Sequence, residues 1–420
     1  MSDHADPKLS PVILVSLVCA AQVFAQLGTY SYPALLPDFL ERWSIDNSEA
    51  GTITAAFYAG YTLSVPILVT ITDRFDPKRV YIFGVSCIAL SYIAFGWWAD
   101  GFVEALICRT FSGVGWAGTY MTGLKMLSDR VDGRLMTRAV AWHAAGIGIA
   151  GAASYVVTAT LDALWGWRIA FVVLGLSAAL ALVVVALIVP AKVPAGRVSS
   201  GGRLFDFRPV FRNRSVMAYS IAYCVHTWEM MAFKGWTVAF LTFVSVHTGS
   251  KIGNADWITP TAATTVVILM GVVASLAGNE ISIRFGRQRL VKFAMLSSII
   301  LALLIGFLGT ASYTWAVLFV AAYSMIIWLD SSSLTAGSAA SASPERRGAT
   351  LAVHSMLGYG GGFVGPLALG LVLDLAGGMS AAAWGWALAH IAGVVLIGRI
   401  VFSVLRPRDL PGDRTTDTSV

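Results

Sequence analysis

The sequence predicts an all-α polytopic membrane protein, with twelve transmembrane helices in two pseudo-symmetric six-helix bundles. Three observations predict it. The first is composition: 57% of the 420 residues are hydrophobic and 12% are charged, with a mean hydropathy of +0.73. A water-soluble domain carries roughly twice that charged share. The second is spacing, because apolar runs of about twenty residues, each enough for one crossing, recur along the chain. The third is an echo between the two halves of the sequence.

Spans one to twelve are expected near residues 11–39, 48–72, 79–99, 102–126, 138–162, 167–190, 215–246, 257–283, 288–309, 313–338, 348–374 and 381–404. The run from Pro11 is too long for a signal-peptide h-region and reads as span one behind a short tail. Lys and Arg sort by loop. One face receives Lys8, the run from Arg74 to Arg79, residues 125–138, 192–214 and 284–292, Arg346 with Arg347, and the tail from Arg399. The other face receives little beyond Arg42, Arg168 and Lys251. The positive-inside rule therefore puts both termini in the cytoplasm, in a multi-pass protein of the inner (plasma) membrane. It also accounts for the net charge of +6 without a nucleic-acid partner.

Residues 191–214, rich in Gly, Ser and Arg, read as a cytoplasmic linker between one half at 1–190 and another at 215–404. A surface helix around Leu204 to Phe211 fits there, and 405–420 reads as a cytoplasmic tail. Cys19, Cys87, Cys108 and Cys224 all fall in apolar segments, with neither metal-ligand spacing nor a disulfide framework.

The halves answer each other three times in the same order. Asp73-Arg74-Phe75-Asp76-Pro77-Lys78-Arg79 answers Ile283-Arg284-Phe285-Gly286-Arg287-Gln288-Arg289. Ala139-Val140-Ala141-Trp142-His143 answers Thr350-Leu351-Ala352-Val353-His354, and Trp165-Gly166-Trp167 answers Trp384-Gly385-Trp386. Duplication of a six-helix unit explains all three.

On these residues the chain resembles a major facilitator superfamily transporter over essentially its whole length. Asp73, Arg74, Lys78 and Arg79 match the family's signature between spans two and three, while Val69, Asp76 and Pro77 depart from it. Arg284, Gly286, Arg287 and Arg289 form a second copy, with Ile283 in place of the acid. Arg109, Gly113 and Gly115 match the family's fourth-span motif. The resemblance implies two halves that rock about a central site. It also implies a conformational latch at the cytoplasmic face built from Asp73, Arg74, Lys78, Arg79, Arg284 and Arg287. The plain alternative for these charges is loop anchoring.

Ionisable residues deep in spans are costly unless they pair or face water. Arg109 in span four, His226, Glu229 and Lys234 in span seven, Asp330 in span ten, and His143 and His354 in spans five and eleven stand out. In the resembled fold, spans one, four, seven and ten line the central cavity. Tyr219, Tyr223, His226 and Glu229 share one helical face, and that face is expected to meet water and solute there. Gln22 and Gln26 share a face of span one ahead of Pro33 and Pro37. Arg109, Lys234, His226, Gln22, Gln26, Tyr219, Tyr223 and Tyr323 are the candidate substrate-binding residues. Tyr30, Tyr32, Trp228 and Trp328 also fall on spans one, seven and ten, where some aromatics could form a wall for an organic solute and others face lipid or the interface. Arg109 could serve general coupling instead, and Lys234 could snorkel to the outer interface.

Glu229 and then Asp330 are the candidates for proton coupling. Low dielectric disfavours a charged carboxylate and a nearby cation favours it, so toggling between the two would bind and release a proton. The static alternatives are a pair of Glu229 with Lys234 or Arg109 and, for Asp330, hydrogen bonding with the serines Ser331, Ser332 and Ser333.

No phosphate loop, zinc spacing, nucleophile elbow or dinucleotide fingerprint survives inspection, so neither an enzyme, a cofactor nor a metal is expected. The expected partners are a small-molecule solute, protons and membrane lipid, with the protein as a monomer. The functional reading is proton-coupled movement of a small organic anion by alternating access. A proton antiporter exporting drugs or metabolites is the alternative, weakened because residues 146–154 of span five lack the exporter-type Gly-Pro. An inorganic-anion porter and a non-transporting receptor fit less well: span two lacks a buried Arg, and no soluble signalling domain is present.

Overall fold

A computed structural model describes residues 10–72, 75–131, 133–191, 207–249, 258–343 and 346–408. Among them, ten helices are long and apolar enough to cross a membrane. Eight are single rods: Asn47–Ile71 (span two), Pro77–Trp98 (three), Gly133–Trp165 (five), Trp167–Ile188 (six), Arg214–His247 (seven), Pro260–Phe285 (eight), Arg347–Leu375 (eleven) and Ala381–Leu405 (twelve). Span nine, Arg287–Leu308, ends in a short 3-10 turn at Gly309–Ala311. Span ten runs as Tyr313–Leu329 and Ser331–Ala340, broken at Asp330.

Spans one and four complete the expected twelve as broken helices. Span one runs as Pro11–Gln26, Ser31–Ala34 and Leu36–Arg42, and span four as Phe102–Ala117 and Tyr120–Ser128. The break in span one has a local cause. Pro33 has no N–H, so the Thr29 carbonyl four residues before it has no helical donor. In span four, the break at Gly118 lets that backbone press on Gly84 of span three. Broken helices at membrane depth are tolerated where protein surrounds them.

Span seven is the hub. It is 78% buried over its most apolar stretch, against 33–56% for the other crossing helices. At about 1.5 Å per residue its 34 residues reach about 50 Å, well beyond the hydrocarbon core. Span two runs against span eleven, and span five against span eight. The tight turn between spans five and six needs Gly166, whose φ of 83° lies in the left-handed region. The Trp-Gly-Trp echo is therefore inexact: Trp167 opens span six, whereas Trp384 lies inside span twelve after its Ser380 cap.

Most of the expected linker, and the tail after Arg408, lie outside the described residues. The expected surface helix is observed as Arg208–Arg212, with Val210 buried beside Val216 and Val353.

Candidate functional site

Arg109 is 2% exposed, one of the largest fully buried side chains. Its Nη1 donates to the Thr29 carbonyl at 3.2 Å, the acceptor that Pro33 leaves without a helical donor. Its guanidinium stands 4.7 Å from the centre of the Phe57 ring. Tyr30, Tyr32, Tyr58 and Tyr92 surround it, and its Nε has no hydrogen-bond partner.

Lys234 enters the same region from span seven and is 6% exposed, so it does not snorkel to an interface. Its Nζ lies 4.4 Å from the Trp328 ring centre and 5.4 Å from that of Tyr30. Tyr30 stacks on Tyr155 at 5.3 Å, and the Tyr155 hydroxyl donates to the Lys234 carbonyl at 2.6 Å. The Ser154 hydroxyl accepts from the Tyr30 N–H at 2.9 Å. Span seven is thus tied to spans one and five around this lysine. Among the described residues no carboxylate lies within ion-pair distance of Arg109 or Lys234. Among the described residues, then, two buried cations, from spans four and seven, share the Tyr30 side of this wall and have no carboxylate partner.

The acidic candidates sit elsewhere. His226 Nδ1 lies 3.0 Å from Asp330 Oδ1, and both are buried. Glu229 is beside them, 4% exposed, with Oε1 lacking a hydrogen-bond partner. These three line a small pocket with Ser298, Met295 and Val395. Its walls are spans seven, nine, ten and twelve. This corrects the expectation that the whole polar face of span seven meets the central cavity. Glu229 and Lys234 are five residues apart, about 140° around the helix, so they point to different sides.

Other expected substrate contacts are dispersed. Tyr323 is fully buried and meets Phe233 edge-on at 5.5 Å. Tyr219 packs on Phe402 of span twelve and fits against Gly337. Tyr223 stacks on His354 at 4.2 Å. Gln22 accepts from the Tyr81 hydroxyl at 3.2 Å, while Gln26 is buried with Nε2 unpartnered.

At the end that carries the basic loops, Asp73 and Arg74 lie outside the described residues. Lys78 donates to the Ala186 and Val189 carbonyls at 2.9 and 2.6 Å, closing the end of span six rather than reaching the other half. Arg287 donates to the Ser333 carbonyl at 3.2 Å, and Arg79 and Arg284 are exposed. Asp76, a departure from the signature, caps span three through the Lys78 N–H and pairs with Arg130 at 3.1 Å.

Sequence reasoning missed Tyr58, Tyr155 and Phe57, because a tyrosine or phenylalanine in an apolar helix looks the same whether it faces lipid or a site. It also missed His390 of span twelve, whose Nε2 accepts from the Trp228 indole at 3.2 Å.

The family profile described as Major Facilitator Superfamily matches residues 18–366. Over 142 residues the chain is 25% identical to a probable 4-methylmuconolactone transporter of Cupriavidus pinatubonensis, covering 33% of each chain. Over 187 residues it is 25% identical to a benzoate transport protein of Acinetobacter baylyi, covering 42% of this chain and 39% of that one. The matched part spans well under half the length of these curated relatives. Among solved structures, a bacterial homolog to the human lysosomal transporter Spinster, in an inward-facing and occupied conformation, has a TM-score of 0.74. That likeness, at 14% identity over 97% of this chain and 98% of that one, concerns the fold. A profile match over most of the sequence, joined to ten long apolar helices and the broken spans one and four among the described residues, assigns the family: the chain belongs to the Major Facilitator Superfamily.

Proposed function

We propose that the protein carries a small, flat organic anion across the inner membrane by alternating access, coupled to protons. The observation that carries this is the pair of buried cations, Arg109 and Lys234, without a carboxylate partner among the described residues. A buried charge is costly unless compensated, so an anion between them would relieve both. Tyr30, Tyr155 and Trp328 offer flat apolar faces to the body of the solute. The names of the benzoate and 4-methylmuconolactone relatives support this solute class.

Glu229, with His226 and Asp330, is the proton site in this reading. It lies on the far side of span seven from Lys234. Proton and solute therefore do not compete for one contact; they are linked through movement of span seven and the broken span ten. The other latch candidates, Asp73, Arg74, Arg79, Arg284 and Arg287, would act in the same movement, as two halves bounded by the linker at 191–214.

Uptake of labelled benzoate into proteoliposomes tests the proposal. Accumulation should follow an imposed pH gradient, and benzamide, the neutral isostere, should neither compete nor accumulate. Equal handling of benzamide would refute an anion site.

A further inference from the structure

We infer that Asp374 is a clasp that shuts the outer face of the transporter, a positioning residue for the transport cycle. The inference rests on the alternating exposure proposed above and on no particular solute. Asp374 lies one residue before the end of span eleven. Its Oδ1 accepts from the Asn47 backbone N–H at 3.2 Å and from Asn47 Nδ2 at 2.6 Å. Its Oδ2 accepts from the Ser48 backbone N–H and hydroxyl, each at 2.6 Å. Asn47 and Ser48 are the first two residues of span two, on the other side of the duplication.

The helix start shows why this contact is specific. A helix begins with backbone N–H groups that have no internal partner. Span two satisfies two of them itself: Asp46 Oδ1 accepts from the Glu49 N–H at 2.7 Å, and Glu49 Oε2 accepts from the Asp46 N–H at 3.1 Å. The two left over, on Asn47 and Ser48, both go to Asp374. Its carboxylate also meets the positive end of the helix dipole.

The backbones beneath are pressed together. A side chain at Gly370 would strike the Asn47 carbonyl, and one at Gly51 the Pro366 carbonyl. The Trp236 indole donates to that same Pro366 carbonyl at 2.9 Å. Spans two, seven and eleven thus meet without a gap at the face opposite the basic loops. Any opening of this face must part span two from span eleven and break all four Asp374 bonds together. The clasp exists only while the outer side is shut.

The reporter for the test is Thr54→Cys, with the four native cysteines replaced. Thr54 lies one to two turns below the clasp, 1% exposed, with Gly235 of span seven against it. A membrane-impermeant maleimide is applied from outside. Asp374→Ala should raise the labelling rate by roughly a hundredfold or more, as expected when several bonds to a charged acceptor on one state are lost. Asp374→Glu, which keeps the carboxylate, should return part of the protection. Adding Ser48→Ala to Asp374→Ala should change nothing further, because its partner is already gone. Should Asp374→Ala fail to fold, Ser48→Ala alone should raise labelling about tenfold by the loss of one such bond. Unchanged labelling in a folded Asp374→Ala protein, or a further increase in the double variant, would overturn the clasp. Labelling needs no solute, so a failure of benzoate uptake would refute the solute reading separately.

Discussion

Replacing Lys234 by Met should make the protein more stable and much worse at binding its anion. The ammonium is 6% exposed and rests on the rings of Trp328 and Tyr30, with no carboxylate in reach among the described residues. Cation–π contacts of this kind return about 0.5–2 kcal/mol, while exchanging buried charge for well-packed apolar groups of similar volume is often neutral or stabilising by about 1–4 kcal/mol. Met matches the length of Lys and keeps contact with both rings, so the net change in the empty protein should be about 1–2 kcal/mol of stabilisation. The ligand-bound protein responds the other way. A charge-assisted contact to a carboxylate is worth about 1.5–3 kcal/mol, which corresponds to roughly a 10- to 150-fold loss of affinity. A thermal-shift assay in detergent reads both quantities. The melting temperature of Lys234→Met without ligand should lie above that of the unsubstituted protein, and the upward shift given by benzoate should vanish. A lower melting temperature with an intact benzoate shift would mean that Lys234 is structural and that the reasoning fails.

Two further outcomes follow from the same geometry. Glu229→Gln should abolish accumulation driven by a pH gradient while leaving benzoate counterflow in place, because the pocket at Ser298 and Asp330 is separate from Lys234; unchanged gradient-driven flux would exclude Glu229 as the proton site. Asp76→Ala removes both the cap of span three and the Arg130 ion pair, so it should lower stability by about 1–2 kcal/mol with an unaltered KM for solute.

The fold was legible because each span announces itself by length and the halves by their echoes. Pro33 was legible as a kink, and a count of four residues back from it identifies the Thr29 carbonyl that Arg109 uses. Span seven was misread in one respect. Five residues between Glu229 and Lys234 already forbid a common face, so the polar residues of this span cannot all meet one cavity. The departure at Asp76 was visible, but not its use as cap and partner of Arg130. Asp374 carried no signal, because its partners lie 326 and 327 positions away and only the packing of span two on span eleven brings them near. Tyr58 and Tyr155 were hidden for a different reason: aromatic residues suit lipid, interface and binding wall alike.

The central claim is that a flat anion lies between Arg109 and Lys234. A structure with 4-bromobenzoate, located by the anomalous signal of bromine, tests it most directly. The account predicts the carboxylate between the Arg109 guanidinium and the Lys234 ammonium, with its ring against Tyr30 or Trp328. A bromine peak in the pocket of Glu229 and Asp330, with the two cations still unliganded, would contradict it.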